Sequence, residues 1–102
     1  MGNFDLIIKG GTVATAADTF RSDVGIRDGR VVALGHDLGS ADREIDAGGM
    51  LVLPGGIDAH CHIEQESSTM LMTADDYYSG SVSAAFGGNT TFIPFAAQHR
   101  GQ

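Results

Sequence analysis

The chain has 102 residues, of which 42% are hydrophobic and 19% charged, and its 13 acidic and 6 basic side chains give a formal net charge of -7. This composition is typical of soluble globular sequence and unlike that of disordered or fibrous proteins. A negative surface field repels phosphate backbones, so we expect no nucleic-acid partner. The single cysteine excludes an intramolecular disulfide framework.

The N-terminal segment is not typical of a targeting sequence. MGNFDLIIKGG carries Asp5 within its apolar run and lacks a basic region and a cleavage pattern. No stretch approaches the roughly 18 apolar residues of a membrane span. We therefore expect a cytoplasmic protein with no membrane partner.

The first half of the sequence predicts β-strands separated by tight turns. Phe4–Lys9 is a predicted strand, and after the Gly10-Gly11 turn the segment Thr12–Thr15 could pair back onto it. Asp28-Gly29 lies between two β-branched runs and predicts a type I′ hairpin. Two more predicted strands follow, at Arg43–Asp46 and Met50–Pro54. Closely spaced strands of this kind are typical of a sandwich or a small barrel.

After Pro54 the pattern changes to strand, helix and strand. Ile57–Ile63 and Asn89–Phe95 are the predicted strands, and Thr73 is the predicted N-cap of the helix between them. Gly87-Gly88 is expected to end this helix. The helix is predicted from apolar side chains that recur at helical spacing: Tyr78, Val82, Ala85 and Phe86. A strand-helix-strand order of this length is a βαβ unit, which requires a parallel sheet.

These two patterns predict two domains. Residues 1–54 would form an all-β domain, a sandwich or a small barrel, and residues 55–102 the start of an α/β domain. A two-stranded parallel sheet with one helix leaves both sheet faces open. Two small cores would each have to offset roughly 1.5 kcal/mol of conformational entropy per ordered residue. We therefore expect the chain to be a piece of a longer protein.

The segment GGIDAHCHIE holds the candidate functional residues. Alternation along a strand sends Asp58, His60 and His62 to one face and Cys61 to the other. Burying three polar groups without partners costs roughly 1–3 kcal/mol each, and a metal ion removes this cost. The two histidines are roughly 6–7 Å apart at Cα, so both rings can reach one ion through Nε2. On a solvated edge strand the same pair would carry no function, and this alternative stays open.

The neighbouring side chains have simpler interpretations. We expect Asp58 to accept a hydrogen bond or steady the strand behind the histidines. Cys61 is expected to be a packed, inert thiol rather than a nucleophile. Glu64 and Glu66 are expected in a solvated loop, although they could reach a substrate. Loop packing explains Met70 and Met72 as well as a pocket wall does, and Gln98–Gln102 is expected to be a surface turn.

Several blocks of the sequence together resemble a known family. VLPGGIDAHCHIE and TADDYYSGSVSAAFGGNTTFIPF, preceded in order by DLIIKGGTV and DVGIRDGRVVALG, are similar to the N-terminal part of the amidohydrolase superfamily, hydantoinase/dihydropyrimidinase branch. The resemblance implies an α/β fold with a β-sandwich. The chain would supply the N-terminal part of a composite sandwich and the first βαβ unit of a (β/α)8 metal-dependent hydrolase barrel.

The resemblance also implies a chemistry. Family members hydrolyse the ring amide of hydantoins or dihydropyrimidines with two divalent ions, usually Zn²⁺, that activate water. His60 and His62 match ligands of the more buried ion, and Asp58 would stand behind them. The family's bridging carboxylated lysine, later histidines and general-base aspartate have no counterpart here. Lys9 is the only lysine and lies in the first predicted strand, and His99 follows the second strand of the βαβ unit.

The resemblance therefore predicts no catalytic residue and no hydrolase activity in the 102 residues alone. The full-length parent is expected to be a homo-oligomer, a tetramer or dimer, that acts on a small cyclic amide. Allantoinase, or another cyclic amide or imide hydrolase, is an alternative activity. Glu64 stands where dihydroorotases carry an arginine, which argues against an anionic substrate. A non-catalytic dihydropyrimidinase-like scaffold or assembly protein is the alternative of another class, although retention of both histidines argues against it.

Overall fold

The structure is a computed structural model that describes residues 2–68, 71–96 and 100–101. It contains two compact units, Met1–Pro54 and Gly55–Gln102. The assignment of these ranges to two domains of a longer protein stays a prediction. We describe each unit by itself.

The first unit consists of β-strands in two mixed sheets. Its described strands are β1 (Phe4–Lys9), β2 (Thr12–Ala14), β3 (Thr19–Arg21), β4 (Asp23–Arg27), β5 (Arg30–Gly35), β6 (Ala41–Asp46) and β7 (Leu51–Val52). One sheet has the order β5-β4-β1-β6 and the other the order β3-β2-β7. The pairs β1–β6 and β2–β7 are parallel, and the remaining pairs are antiparallel. This arrangement agrees with the predicted N-terminal part of a β-sandwich.

The predicted hairpin at Asp28-Gly29 is confirmed. Both turn residues have positive φ, 53° for Asp28 and 72° for Gly29, as a type I′ turn requires. The turn joins β4 to β5, which pair antiparallel. The Asp28 N–H also donates to Asp5 Oδ2 at 2.7 Å, which ties the turn to β1.

The expected pairing of the second strand with the first is wrong. β2 does not return along β1, because at Gly10-Gly11 the chain leaves one sheet and enters the other. The segment between β6 and β7 also passes from the first sheet to the second, next to Gly10-Gly11. The Ala47 N–H donates to Lys9 O at 2.7 Å, and the Thr12 N–H donates to Met50 O at 3.0 Å. At Gly11 a Cβ would meet Val52 Cγ2 at 2.5 Å, so the close approach of the two bends requires glycine.

The core of the first unit draws on both of its sheets. Its buried apolar side chains are Phe4, Ile7, Val13, Val24 and Ala47. Ile7, in the middle of β1, has no exposed surface. Phe4 packs so closely on Gly25 of the neighbouring β4 that a Cβ there would lie 2.7 Å from its Cε1. The unit therefore has a small hydrophobic core of its own.

The second unit contains the predicted βαβ arrangement. Its described elements are β8 (Gly56–Cys61), β9 (Glu66–Ser68), β10 (Leu71–Met72), α1 (Tyr77–Phe86) and β11 (Asn89–Pro94). β8 and β11 pair in parallel, with α1 between them in the chain. β9 and β10 form an antiparallel pair where the sequence predicted a loop, so Glu66 and Met72 lie in strands. Met70 and His99 lie outside the described residues.

The helix begins later than predicted, because Asp76 and not Thr73 is its N-cap. The Ser79 N–H donates to Asp76 Oδ1 at 2.8 Å, and the Asp76 N–H donates to Ser79 Oγ at 3.1 Å, which forms a capping box. The Thr73 hydroxyl instead accepts the N–H of Gln65 at 3.0 Å. Thr73 and Asp76 are both of residue types that cap helices. Because the Thr73 hydroxyl is bound to Gln65, Asp76 caps the helix. The helix ends at Gly87, as predicted.

The apolar side chains whose spacing predicted α1 are exposed in the described residues. Tyr78 is 80% exposed and Phe86 91% exposed, whereas the buried residue of the helix is Gly80. A Cβ at Gly80 would lie 3.2 Å from Ile63 Cδ1, so the missing side chain lets the helix close on Ile63. Helical spacing identified an apolar stripe but not the element that it would contact. No helix of the described residues is long and apolar enough to cross a membrane.

Candidate metal centre

The two histidines lie side by side at the end of β8. His60 is the penultimate residue of the strand and His62 is the first residue after it, and both are exposed. Their ring centroids are 5.4 Å apart and their planes meet at 64°. The structure therefore brings together the two imidazoles that the sequence singled out, while their role as ligands stays a prediction.

The aromatic ring of Phe95 contacts both imidazoles. The Phe95 ring stacks on His62 with a centroid distance of 4.7 Å and an interplanar angle of 6°. It meets His60 edge to face at 4.5 Å. The Phe95 N–H donates to Cys61 O at 3.0 Å, which holds the end of β11 beside the end of β8. Sequence reasoning missed Phe95, although its place at the end of the parallel partner strand was the available signal.

Gln65 is the second residue that sequence reasoning missed. Its side-chain Oε1 lies 2.6 Å from Nδ1 of His62, a short hydrogen bond. No motif marks a glutamine three residues after a histidine, so only the structure identifies this contact.

Asp58 and Cys61 do not lie on opposite faces as regular alternation predicts. Phe92 pairs with Asp58 but Pro94 pairs with Cys61, so β8 has one extra residue, a bulge, between these two pairs. Asp58 and Cys61 consequently line one cavity of about 270 Å³ beside α1. Asp58 Oδ1 accepts the His60 N–H at 3.0 Å, the kind of steadying contact that was expected of it.

The environment of Cys61 makes its thiol less acidic. Partial burial, and then the negative charge of Asp58, raise the pKa of Cys61 above its ordinary value. A raised pKa leaves less thiolate at neutral pH, and the thiolate is the reactive form. This supports the interpretation of Cys61 as an inert, packed thiol.

Glu64 is exposed but is not only a solvated loop residue. It has a φ of +49°, and its Oε2 accepts the Tyr77 N–H at the start of α1 at 3.2 Å. Its own N–H donates to Asp75 O at 2.9 Å. A carboxylate is favourable at a helix N-terminus, because the first N–H groups there lack partners within the helix. Glu64 therefore joins the loop that carries His62 to the helix.

The geometry of the two imidazoles fits a shared metal ion. Two imidazoles that bind one tetrahedral zinc ion through nitrogen, at about 2.0–2.1 Å, have ring centroids roughly 5 Å apart. The observed separation is 5.4 Å. Residues 2–68, 71–96 and 100–101 contain no group of three or more potential ligands, so a complete site needs ligands from other residues.

Lys9, the only lysine in the sequence, lies in the first unit. It belongs to β1, where its Nζ is 3.1 Å from Glu44 Oε1 and forms a salt bridge.

Comparisons with known proteins identify the family. No family model matches the chain. A D-hydantoinase from Ralstonia pickettii is 47% identical over 97 residues, which are 95% of this chain and 21% of the relative. A solved D-hydantoinase structure is 46% identical, with a TM-score of 0.91 over 97% of this chain and 21% of that chain. The chain matches the N-terminal portion of the hydantoinase/dihydropyrimidinase family of amidohydrolases.

Two further relatives show how widely this N-terminal portion occurs. An allantoinase from Bacillus licheniformis is 45% identical over 91 residues, 89% of this chain and 20% of the relative. A D-aminoacylase structure, described for its binuclear metal center, is 47% identical over 58% of this chain and 13% of that chain, with a TM-score of 0.53. The chain spans about a fifth of the length of the hydantoinases and the allantoinase.

Proposed function

We propose that the full-length protein with this N-terminal portion is a metal-dependent cyclic amidohydrolase that hydrolyses the ring amide of hydantoins or dihydropyrimidines. The observation that carries the proposal is the pair of imidazoles, 5.4 Å apart, at the end of the first strand of a βαβ unit. In α/β folds the carboxyl ends of the strands are where ligands bind. The similarity to D-hydantoinases supports the substrate class.

His60 and His62 would hold one divalent ion in this proposal. Imidazole nitrogen is a preferred ligand of Zn²⁺, so zinc is the proposed metal, and a binuclear centre would take its other ligands from outside these residues. The similarity to the D-aminoacylase with a binuclear metal center supports this. The bound metal would supply the Lewis acidity that lowers the pKa of water and polarises the ring carbonyl.

The other residues of the site have positioning roles in the proposal. Phe95 contacts both imidazoles and limits the orientations that their rings can take. Asp58 holds the backbone N–H of His60. Glu64 places a negative charge two residues after His62, which disfavours anionic substrates and suits a neutral cyclic amide. None of these residues performs a catalytic step, and the 102 residues alone are predicted to be inactive.

Allantoinase is the second candidate activity, because one relative with that name is 45% identical over 89% of the chain. Allantoin is itself a substituted hydantoin, so the same ring-amide chemistry applies. An assay that offers both substrates distinguishes the two activities.

The remaining expectations about the full-length protein are part of the same proposal. The proposal includes a cytoplasmic location and a homo-oligomeric assembly of the full-length protein. The net charge of -7 supports the absence of a nucleic-acid partner.

The test is a hydrolysis assay of the full-length protein with added zinc. Hydantoin, dihydrouracil and allantoin are offered separately to the wild type and to the His60→Asn and His62→Asn variants. We expect turnover of at least one substrate. Turnover by each variant should fall by more than about 10–100-fold. That range is the usual cost of losing only a hydrogen-bond partner of a metal ligand, whereas these variants remove the ligand itself.

Three results would count against these expectations. A folded, zinc-supplemented full-length protein that opens none of the three rings would favour the non-catalytic scaffold. Unchanged turnover in both histidine variants would exclude the proposed ligands. Turnover by the 102 residues alone that depends on His60 would overturn the prediction that they are inactive.

A further inference from the structure

We propose that Gln65 is a positioning residue that fixes His62 in the tautomer with its proton on Nδ1 and its lone pair on Nε2. The role of this tautomer in metal binding rests on the proposed function, whereas the tautomer itself does not. No sequence motif marks Gln65, and the assignment comes from its contacts alone.

The hydrogen bond between the two side chains defines which nitrogen carries the proton. Gln65 Oε1 lies 2.6 Å from His62 Nδ1. An amide oxygen can accept a hydrogen bond but has no hydrogen to donate, so Nδ1 must be the donor. In a neutral imidazole the other nitrogen then has the lone pair. The contact with Gln65 therefore makes Nε2 the nitrogen that is able to bind a metal.

The backbone of Gln65 is held on both of its polar groups. Its N–H donates to Thr73 Oγ1 at 3.0 Å, and its carbonyl oxygen accepts the Thr73 N–H at 2.9 Å. Gln65 is half-buried, unlike the exposed His62. The adjacent Glu64 is tied to α1 through the Tyr77 N–H. The acceptor thus projects from an anchored loop rather than from a freely moving surface chain.

Gln65 and Phe95 restrict different motions of the same ring. The Phe95 ring lies nearly parallel to that of His62, at an interplanar angle of 6°, and so limits tilting of the imidazole plane. Gln65 contacts one edge of the ring and so limits rotation within that plane. In the orientation that both contacts favour, Nε2 is directed away from Gln65. Hydrogen-bond partners of this kind fix both the tautomer and the orientation of metal-binding histidines.

The first test determines the tautomer in the metal-free, full-length protein. Histidines are labelled with ¹⁵N, His62 is assigned with a His62→Gln variant, and long-range proton–nitrogen spectra are recorded at about pH 8, where ordinary imidazoles are neutral. We expect His62 to carry its proton on Nδ1. Gln65→Leu removes the acceptor at similar size and should abolish this preference. Gln65→Glu is the matched control, because its carboxylate accepts the same hydrogen bond and should preserve it.

The second test measures zinc affinity by competition with a chromophoric chelator. Gln65→Leu should weaken binding about 10–100-fold, the usual cost of losing such a partner, and Gln65→Glu should restore it. The melting temperature of the metal-free protein should be the same in all three forms. A purely structural role of Gln65 would instead lower this temperature in Gln65→Leu and would leave the tautomer unchanged.

The outcomes separate this inference from the proposed function. The inference is wrong if wild-type His62 carries its proton on Nε2, or if Gln65→Leu keeps both the wild-type tautomer and the wild-type zinc affinity. A wild type that binds no zinc, yet shows the Nδ1–H tautomer that Gln65→Leu loses, would refute the proposed metal chemistry and support the assignment of Gln65.

Discussion

The two units of the chain differ in what holds them together. Among the described residues, the first unit buries five apolar side chains and the second buries one, Ile63. The candidate metal centre nevertheless belongs to the second unit. Its geometry depends on hydrogen bonds and ring contacts between residues near in space, such as Gln65 with His62 and Phe95 with both histidines.

The first unit therefore contains most of the buried apolar side chains, whereas the second contains both candidate metal ligands. The first unit has sheets that cover each other's apolar side chains, whereas the second has a two-stranded parallel sheet and one helix. Parallel sheets are normally covered on both faces. We therefore expect the second unit to be the less stable of the two in the 102-residue chain.

The largest expected effect is on the core of the first unit. Ile7→Ala should destabilise the 102-residue chain by about 2–5 kcal/mol, because it leaves a cavity at a side chain with no exposed surface. The matched substitution in the second unit is Ile57→Ala, at a side chain that is 68% exposed, and it should cost less than about 0.5 kcal/mol. Urea denaturation of both variants measures the two free energies of unfolding. Equal losses would break the comparison between the units.

A smaller effect is expected at the start of α1, where Asp76 is the N-cap. The Ser79 N–H and hydroxyl lower the pKa of Asp76 below its ordinary value of 3.8. Because the folded-state pKa is the lower one, this stabilisation is present above 3.8 and is lost as the pH falls through the lowered value. The protection factor of the Ser79 amide, which is its intrinsic exchange rate at the same pH divided by the observed rate, should fall over that range.

Two variants check the assignment of this effect to Asp76. Asp76→Asn still caps the helix but cannot titrate, so the loss of Ser79 protection at low pH should disappear. Asp76→Ala should show a low Ser79 protection factor at every pH. If Asp76→Asn keeps the acid dependence of the wild type, another group is responsible.

The smallest expected effect concerns Cys61 and the cavity that it shares with Asp58. Since partial burial and the Asp58 charge raise the pKa of Cys61, its alkylation by iodoacetamide at neutral pH should be slower than that of a free cysteine. Asp58→Asn removes the charge, lowers the pKa and should speed alkylation. An unchanged rate would show that the two side chains do not share one face.

The parts of the fold that local sequence determines were predicted well. The hairpin at Asp28-Gly29 needs only two residues that accept positive φ, and both have it. The βαβ order of the second unit follows from the change of period after Pro54, and β8 and β11 pair in parallel as expected. The turn and the order of the elements depend on residues that are adjacent in sequence, and the parallel pairing follows because a helix joins the two strands.

The errors all depend on contacts between distant residues. Thr73 was expected to cap the helix, but its hydroxyl binds the backbone of Gln65. Alternation was expected to separate Asp58 from Cys61, but the pairing with β11 introduces a bulge. In the site, both histidines were predicted from their spacing. Gln65 and Phe95 were not predicted. The spacing of residues in the sequence does not indicate which loop or which strand end will contact an imidazole.

The metal content of the full-length protein tests the central claim most directly. Zinc is measured after purification and dialysis in the wild type, in the His60→Ala/His62→Ala double variant and in His36→Ala, which removes an exposed histidine of the first unit. We expect bound zinc in the wild type and in His36→Ala, and its loss in the double variant. The same zinc content in the double variant as in the wild type would show that His60 and His62 do not hold the metal.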